Sequence, residues 1–344
     1  MDQASASGNN AGDLLSQRLV RYDELRPCTT AFIDTRTPGS AEKENFTIIG
    51  PGVAESPDQH IHISEPHGFN IGAARQPPAC VNSQHSHETA EVFMVHSGRW
   101  AFFLGADRED GEIVLGPGDT ISIPVHVFRG FQNVGDDTGI MFAVLGGDDP
   151  GHVTWAPYVF DAATEYGLIL MEDGSLVDTT RGESVPAGKK PMPPTTAKDV
   201  ASARRMSAEE LAECVLTAAE LEQKATTGGL AGLGEQAIIG SASNDEGLPA
   251  GKMAWPHGFH LRRACMAPGD STDLHVRHEE EVIIVHSGRL SVTLGDVQTE
   301  MAAGDTLTVP IAMPRAFGNA GQEAAVAFFV RGGDAPRPAT FVDA

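Results

Sequence analysis

Two histidines and a glutamate lie close together in Gln84-His85-Ser86-His87-Glu88-Thr89-Ala90-Glu91. In a β-strand alternate residues share a face, so His85 and His87 point to one side of a sheet. A turn at Glu88-Thr89-Ala90 sets the next strand, Val92 to Val95, alongside and brings Glu91 to the two imidazoles. Two imidazoles and one carboxylate on one side of a cation form the ligand set of non-haem Fe(II) oxygenases, with positions left open for substrate and oxygen. Downstream stand two more residues of types that ligate a cation or pair with a carboxylate, His126 and Arg129. His126 is a turn residue that could swing in, so either Glu91 or His126 is the third ligand. Arg129 either grips a carboxylate or enolate oxygen of the substrate with two N–H donors or pairs with Glu91 and neutralises it.

These residues carry a resemblance. His-x-His-x3-Glu-x6-Gly, here His85, His87, Glu91 and Gly98, resembles the first signature of the cupin superfamily, a small antiparallel jelly-roll barrel. Its second signature, Gly-Asp-x4-Pro-x-Gly-x2-His-x3-Asn, is similar to the run from Gly118 to Asn133. Gly118, Asp119, Pro124 and Asn133 match, whereas His126 stands in the glycine's place and Arg129 in that of the histidine that usually completes the metal shell. The resemblance implies a jelly roll and a divalent metal, Fe(II) first, with Mn(II) or Zn(II) as alternatives.

The elements that must position these residues recur along the chain. Ile48-Ile49-Gly50 returns as Ile238-Ile239-Gly240, Pro66-His67-Gly68-Phe69 as Pro256-His257-Gly258-Phe259, and Val95-His96-Ser97-Gly98-Arg99 as Val285-His286-Ser287-Gly288-Arg289, each 190 residues on. Past a longer loop in the first copy the offset falls to 186, as Gly118-Asp119-Thr120 against Gly304-Asp305-Thr306 shows. Such self-similarity is an internal duplication. Short β-rich runs separated by Ser-Gly and Gly-Asp turns favour a sandwich or jelly roll. The expected fold is therefore all-β, two tandem antiparallel jelly-roll barrels with a helical connecting segment. Its parts are an N-terminal arm and lead-in over residues 1–45, barrels over 46–160 and 236–344, and a linker over 161–235. Within the linker, helical spacing over Phe160 to Leu170, the proline-rich run from Gly182 to Thr196 and the capping box Ser207-Ala208-Glu209-Glu210, opening a helix to about Lys224, are the expected features.

In the second copy the matching positions are His275, Arg277 and Glu281, with Arg315 again replacing the last histidine. Arginine has no lone pair to give a cation, so the second barrel reads as a charge-paired core in which Glu281 meets Arg315. Size and arrangement are similar to those of gentisate-type ring-cleaving dioxygenases and oxalate decarboxylases, and the chain departs from both at Arg129 and Arg277.

A formal charge of −23 argues against nucleic acid or an anionic membrane as a partner. Four scattered cysteines, Cys28, Cys80, Cys214 and Cys265, fit neither a disulfide framework nor a structural zinc. With no secretory signal and no membrane-length apolar run, a cytoplasmic location is expected, and uncovered sheet faces favour a homo-oligomer. The functional expectation is a metal-dependent bicupin oxidoreductase, of dioxygenase type, acting on a small anionic carboxylic or aromatic acid, with Arg129 and Glu91 as catalytic groups. The alternatives are a metal-assisted isomerase or lyase and a non-catalytic small-molecule-binding bicupin.

Overall fold

The computed structural model describes residues 11–224, 226–240 and 246–342. The chain is mostly β and divides into two compact units, one holding residues 26–224 and the other the residues from 225 onward together with those up to Leu25. In the first unit a seven-stranded sheet runs in the order Val215–Leu216, Thr120–Ile123, Glu91–Ser97, Gly139–Gly146, Phe69–Gln76, Glu44–Ile49, Ile61–Ile63. A five-stranded sheet runs in the order Thr154–Trp155, Val81–Ser86, Arg129–Asn133, Trp100–Leu104, Gly111–Leu115. Strand alternation turns Trp100, Phe102 and Leu104 to one face of the second sheet, where they pack against Phe93, Val95 and Met141 of the first. Phe93 meets Phe102 and Phe131 edge-on or tilted, at centroid distances of 5.4 and 5.3 Å.

The second unit repeats the plan. Its six-stranded sheet runs Leu19–Val20, Thr306–Val309, Glu281–Ser287, Ala325–Gly332, Phe259–Met266, Glu235–Ile239, and its five-stranded sheet runs Val297–Ala302, Arg289–Leu294, Arg315–Gly318, His275–Val276, Thr340–Phe341. Each barrel has an edge closed by a two-residue strand from a distant segment. Leu19–Val20 pairs with Leu307 and Thr306, and Val215–Leu216 pairs with Ile121 and Thr120. An aspartate locks each contact, Asp305 accepting from the Tyr22 amide and Asp119 from the Ala218 amide, both at 2.9 Å. The arm in front of the first barrel thus belongs to the second unit, and a segment in front of the second barrel belongs to the first.

The connecting region differs from the sequence expectation. The capping box at Ser207 and Glu210 forms, yet the helix stops at Ala212. Val215–Leu216 joins the sheet, and a second box at Thr217 and Glu220 opens a new helix, Ala218–Gln223. Thr217 is the physical reason, because its side chain accepts from a free helix N–H and so starts a helix where one was expected to continue. Likewise the helical spacing over Phe160 to Leu170 divides into a helix, Pro157–Glu165, and a strand, Leu168–Leu170. The helix Ala11–Arg18 begins the described chain, within the N-terminal arm and lead-in expected over residues 1–45. Among the described residues no helix is long and apolar enough to cross a membrane.

Candidate metal centre

His85, His87 and Glu91 come together as the spacing predicts. One ligand atom from each lies within 4.8 Å of the other two, and all three residues are buried. His85 belongs to the strand Val81–Ser86, His87 follows its end, and Glu91 opens the strand Glu91–Ser97 of the opposing sheet. The two sheets therefore each contribute to the cluster. The imidazole rings stand nearly perpendicular, 84° apart with centroids at 5.1 Å.

The surroundings keep both histidines neutral. Burial, and then the charge of Arg129, push each imidazole well below its ordinary range, so each nitrogen without a proton keeps its lone pair. His85 Nδ1 lies 2.7 Å from the Ser83 carbonyl, a contact that puts the proton on Nδ1 and leaves Nε2 with its lone pair free for a cation. His87 Nε2 lies 3.6 Å from Glu91 Oε2, and His87 Nδ1 is buried with no hydrogen-bond partner. A buried polar atom without a partner is costly unless another group supplies one. Neutral imidazoles, a carboxylate and an unmatched nitrogen make a donor set that fits a divalent cation.

Arg129 takes the second of its two expected roles, the pair with Glu91, whereas His126 departs from the ligand role. Arg129 pairs with His85 in register and turns its guanidinium onto Glu91 Oε2 and the His85 carbonyl. It is buried and does not line the cavity beside the cluster. Its charge is thus spent within the protein on Glu91, and of the two expected roles the geometry favours this pair over the grip on a substrate anion. The carboxylate keeps further lone pairs, since an ionised glutamate has two oxygens and about four acceptor sites. Burial pushes the Glu91 carboxyl up, against the pull of Arg129. His126 is exposed, in the left-handed region at φ 61°, and stays outside the cluster. The turn Pro124 to Val127, closed by a hydrogen bond from the Val127 amide to the Pro124 carbonyl, carries its side chain away from the barrel interior.

A layer behind the ligands leaves no local mark in the sequence. The Trp155 ring packs on His85 with centroids 5.2 Å apart, and its Nε1 donates to Glu55 Oε1 at 2.6 Å. Glu55 also accepts from the Ile33 amide at 2.7 Å. Burial pushes its carboxyl up to about 8, although both hydrogen bonds pull the other way. Fully buried Lys43 pairs with Asp34 and donates to Asn82 Oδ1 at 3.0 Å, while Asp34 Oδ2 accepts from the Ser83 amide at 3.0 Å. These bonds fix the strand that carries His85. Lysine and aspartate are almost never fully buried unless paired, so their positions in Asp34 to Lys43 gave no sequence signal of burial.

The second barrel has the charge-paired core expected. Arg315 Nη1 donates to Glu281 Oε2 at 3.0 Å, Arg277 reaches Glu246 Oε1 at 2.7 Å, and Arg262 reaches Glu235 Oε1 at 2.9 Å. His275 keeps the posture of His85, with Nδ1 3.0 Å from the Asp273 carbonyl. His278 is taken up by Thr340 Oγ1 at 3.1 Å and does not restore a ligand set.

The family model described as "Cupin domain" matches the chain twice, at residues 74–145 and 262–331. No curated protein matches it by sequence. Among solved structures, oxalate decarboxylase from Bacillus subtilis at pH 4.6 is similar, with a TM-score of 0.55 and 13% identity over 94% of this chain and 78% of that one. The oxalate decarboxylase formate complex from Lactobacillus farciminis gives a TM-score of 0.55 and 12% identity over 94% of this chain and 88% of that one. At such identity the likeness is one of fold.

Proposed function

The chain is a bicupin of the cupin superfamily, and we propose that its first barrel is the catalytic site of a divalent-metal enzyme that uses dioxygen to oxidise a small organic molecule. The observation that carries this reading is the buried convergence of His85, His87 and Glu91. They stand at the wall of a cavity with about 660 Å³ of free space, its mouth included. A divalent metal held by these three residues would supply Lewis-acid and redox chemistry, with open positions for substrate and oxygen. The Ser83 carbonyl orients His85, and Trp155 backs its ring. Arg129 fixes the carboxylate of Glu91. The apolar walls exclude water and raise the strength of every charge interaction inside.

The test is metal content per chain of protein purified without chelator, read beside oxygen consumption. About one Fe or Mn per chain, absent from a His85→Ala/His87→Ala variant, is expected from the ligand set. No bound metal, even after anaerobic addition of Fe(II), overturns the reading. The likeness to oxalate decarboxylases favours a second reading, a metal-dependent lyase. Turnover without oxygen consumption would favour it.

A further inference from the structure

The cavity beside His85, His87 and Glu91 has a one-sided chemistry. Its walls are built from Phe32, Phe46, Ile71, Phe93, Phe131 and Trp155, and the small residues Gly72, Ala73 and Ala143 leave the space between them. Among the described residues lining it, none is a lysine or an arginine. The cations carried by the same walls are each paired with a carboxylate: Lys43 with Asp34, Arg75 with Glu44 and Arg129 with Glu91. A carboxylate placed among these rings would give up its hydration with no fixed cation to receive it.

Besides His87 of the cluster, one polar group at the wall lacks a partner among the described residues. Asn45 lines the cavity, and its Nδ2 is buried without a hydrogen bond. It lies three strands from Glu91 in the same sheet, by way of Gly139–Gly146 and Phe69–Gln76. A molecule that touches both Asn45 and the histidine cluster is therefore longer than a single ring, since neighbouring strands are about 4.8 Å apart.

The second barrel shows what an occupied cup looks like. At the repeat positions of Gly72, Ala143 and Leu145 it has Arg262, Phe329 and Arg331, and at that of Asn45 it has Glu235. All four residues are buried. Side chains there take the room that the first barrel keeps open.

We propose that the first cup accepts a neutral, flat, mainly aromatic molecule of about two rings, with one end at the histidine cluster and a hydrogen-bond acceptor for Asn45. This rests on the proposed function for the role of the cluster and replaces the small anionic acid expected from sequence with an uncharged substrate. Apolar walls with a few placed polar groups are the general pattern of such pockets.

The experiment is calorimetric titration of the whole chain, after anaerobic incubation with Fe(II), with three probes that share a metal-binding catechol end. They are biphenyl-3,4-diol, its 4′-carboxamide and its 4′-carboxylate. The carboxamide is expected to bind at least about tenfold more tightly than the isosteric carboxylate, because only the latter must bury a charge. Asn45→Ala is expected to weaken the carboxamide about fivefold and leave the unsubstituted diol within about twofold, the effect of one hydrogen bond. Ala143→Phe, which copies Phe329, is expected to weaken all three at least about tenfold with metal content unchanged. Equal or tighter binding of the carboxylate overturns the proposal, as does failure of all three probes to bind wild-type protein. Metal content measured on the same samples separates the two ideas. A cup that prefers the carboxamide in protein that takes no metal would sink the proposed function and keep the substrate class, whereas one metal per chain with the opposite preference would do the reverse.

Discussion

Glu91 and Glu281 occupy the same position of the repeat, and their surroundings shift the two carboxyls in opposite directions. Burial opposes the charge of both carboxylates. At Glu281 the guanidinium groups of Arg315, Arg277 and Arg331 overcome it and hold the carboxyl down, to about 2. At Glu91, Arg129 is the cation that pulls down, and burial wins. The difference follows from two substitutions in the repeat, His87 against Arg277 and Leu145 against Arg331. One barrel has filled its cup with ion pairs that complete one another. The other has kept two neutral imidazoles and a hollow, and so has work left for a cation and a ligand. The same fold thus gives a core in one place and a site in the other, because function depends on the groups grafted on it.

Exchanging residues between the copies breaks this comparison most directly. His87→Arg puts the second barrel's residue into the first, and metal content is expected to fall from about one per chain to near zero, because arginine has no lone pair to donate. The reciprocal Arg277→His is expected to gain no metal, since Glu281 stays engaged by Arg315. Metal analysis of both variants checks this, and retained metal in His87→Arg would show that the first barrel's ligands are other than those assigned.

Next in size is the cost of opening the second barrel's network. Four buried arginines, Arg262, Arg277, Arg315 and Arg331, stand with Glu235, Glu246 and Glu281. Glu281→Gln removes a carboxylate that two of them contact and is expected to cost about 3–5 kcal/mol, the usual penalty for leaving buried charge uncompensated. Chemical denaturation reads this. A loss below about 1 kcal/mol would mean that the network is solvated and contributes no more than surface pairs do.

The barrels were legible because their evidence is periodic: repeat offsets, turns and the two-apart histidines each leave a local mark in sequence. The ligand cluster shared in that legibility, as Glu91 needed only a short turn to reach His85 and His87. What stayed hidden was long-range. Nothing local says that Trp155 backs His85, that Glu55 holds Trp155, or that Leu19–Val20 closes the second barrel. His126 and Arg129 were placed by analogy with a motif from which they depart, and there the backbone decided. A left-handed turn residue turned outward, and an arginine at a strand start found the nearest carboxylate.

Glu55 sharpens the comparison through pH. Its repeat counterpart is Asp245, which lies outside the described residues. A carboxyl raised from 4.5 to about 8 in the folded state keeps its proton where the unfolded chain has lost it. Its contribution to stability is therefore full below about pH 4.5 and is lost as the pH rises towards about 8, with a slope of at most about 1.4 kcal/mol per pH unit. Glu55→Gln removes the titrating group and is expected to flatten the fall in thermal midpoint across that window. An unchanged pH profile in the variant would show that Glu55 ionises in the folded protein as it does in the unfolded one.

The smallest expected effect concerns His126. Its counterpart in the second barrel is Ala312, held at φ 59° against 61° for His126, so the turn itself already accepts alanine. The histidine side chain is exposed and has no place in the cluster. His126→Ala is therefore expected to leave metal content unchanged and stability within about 0.5 kcal/mol, as for surface substitutions generally. Metal analysis and denaturation of this variant beside His85→Ala test the outward turn of this loop. Loss of metal in His126→Ala would mean that the loop turns inward when a cation is bound, and that the third ligand comes from the turn and not from Glu91.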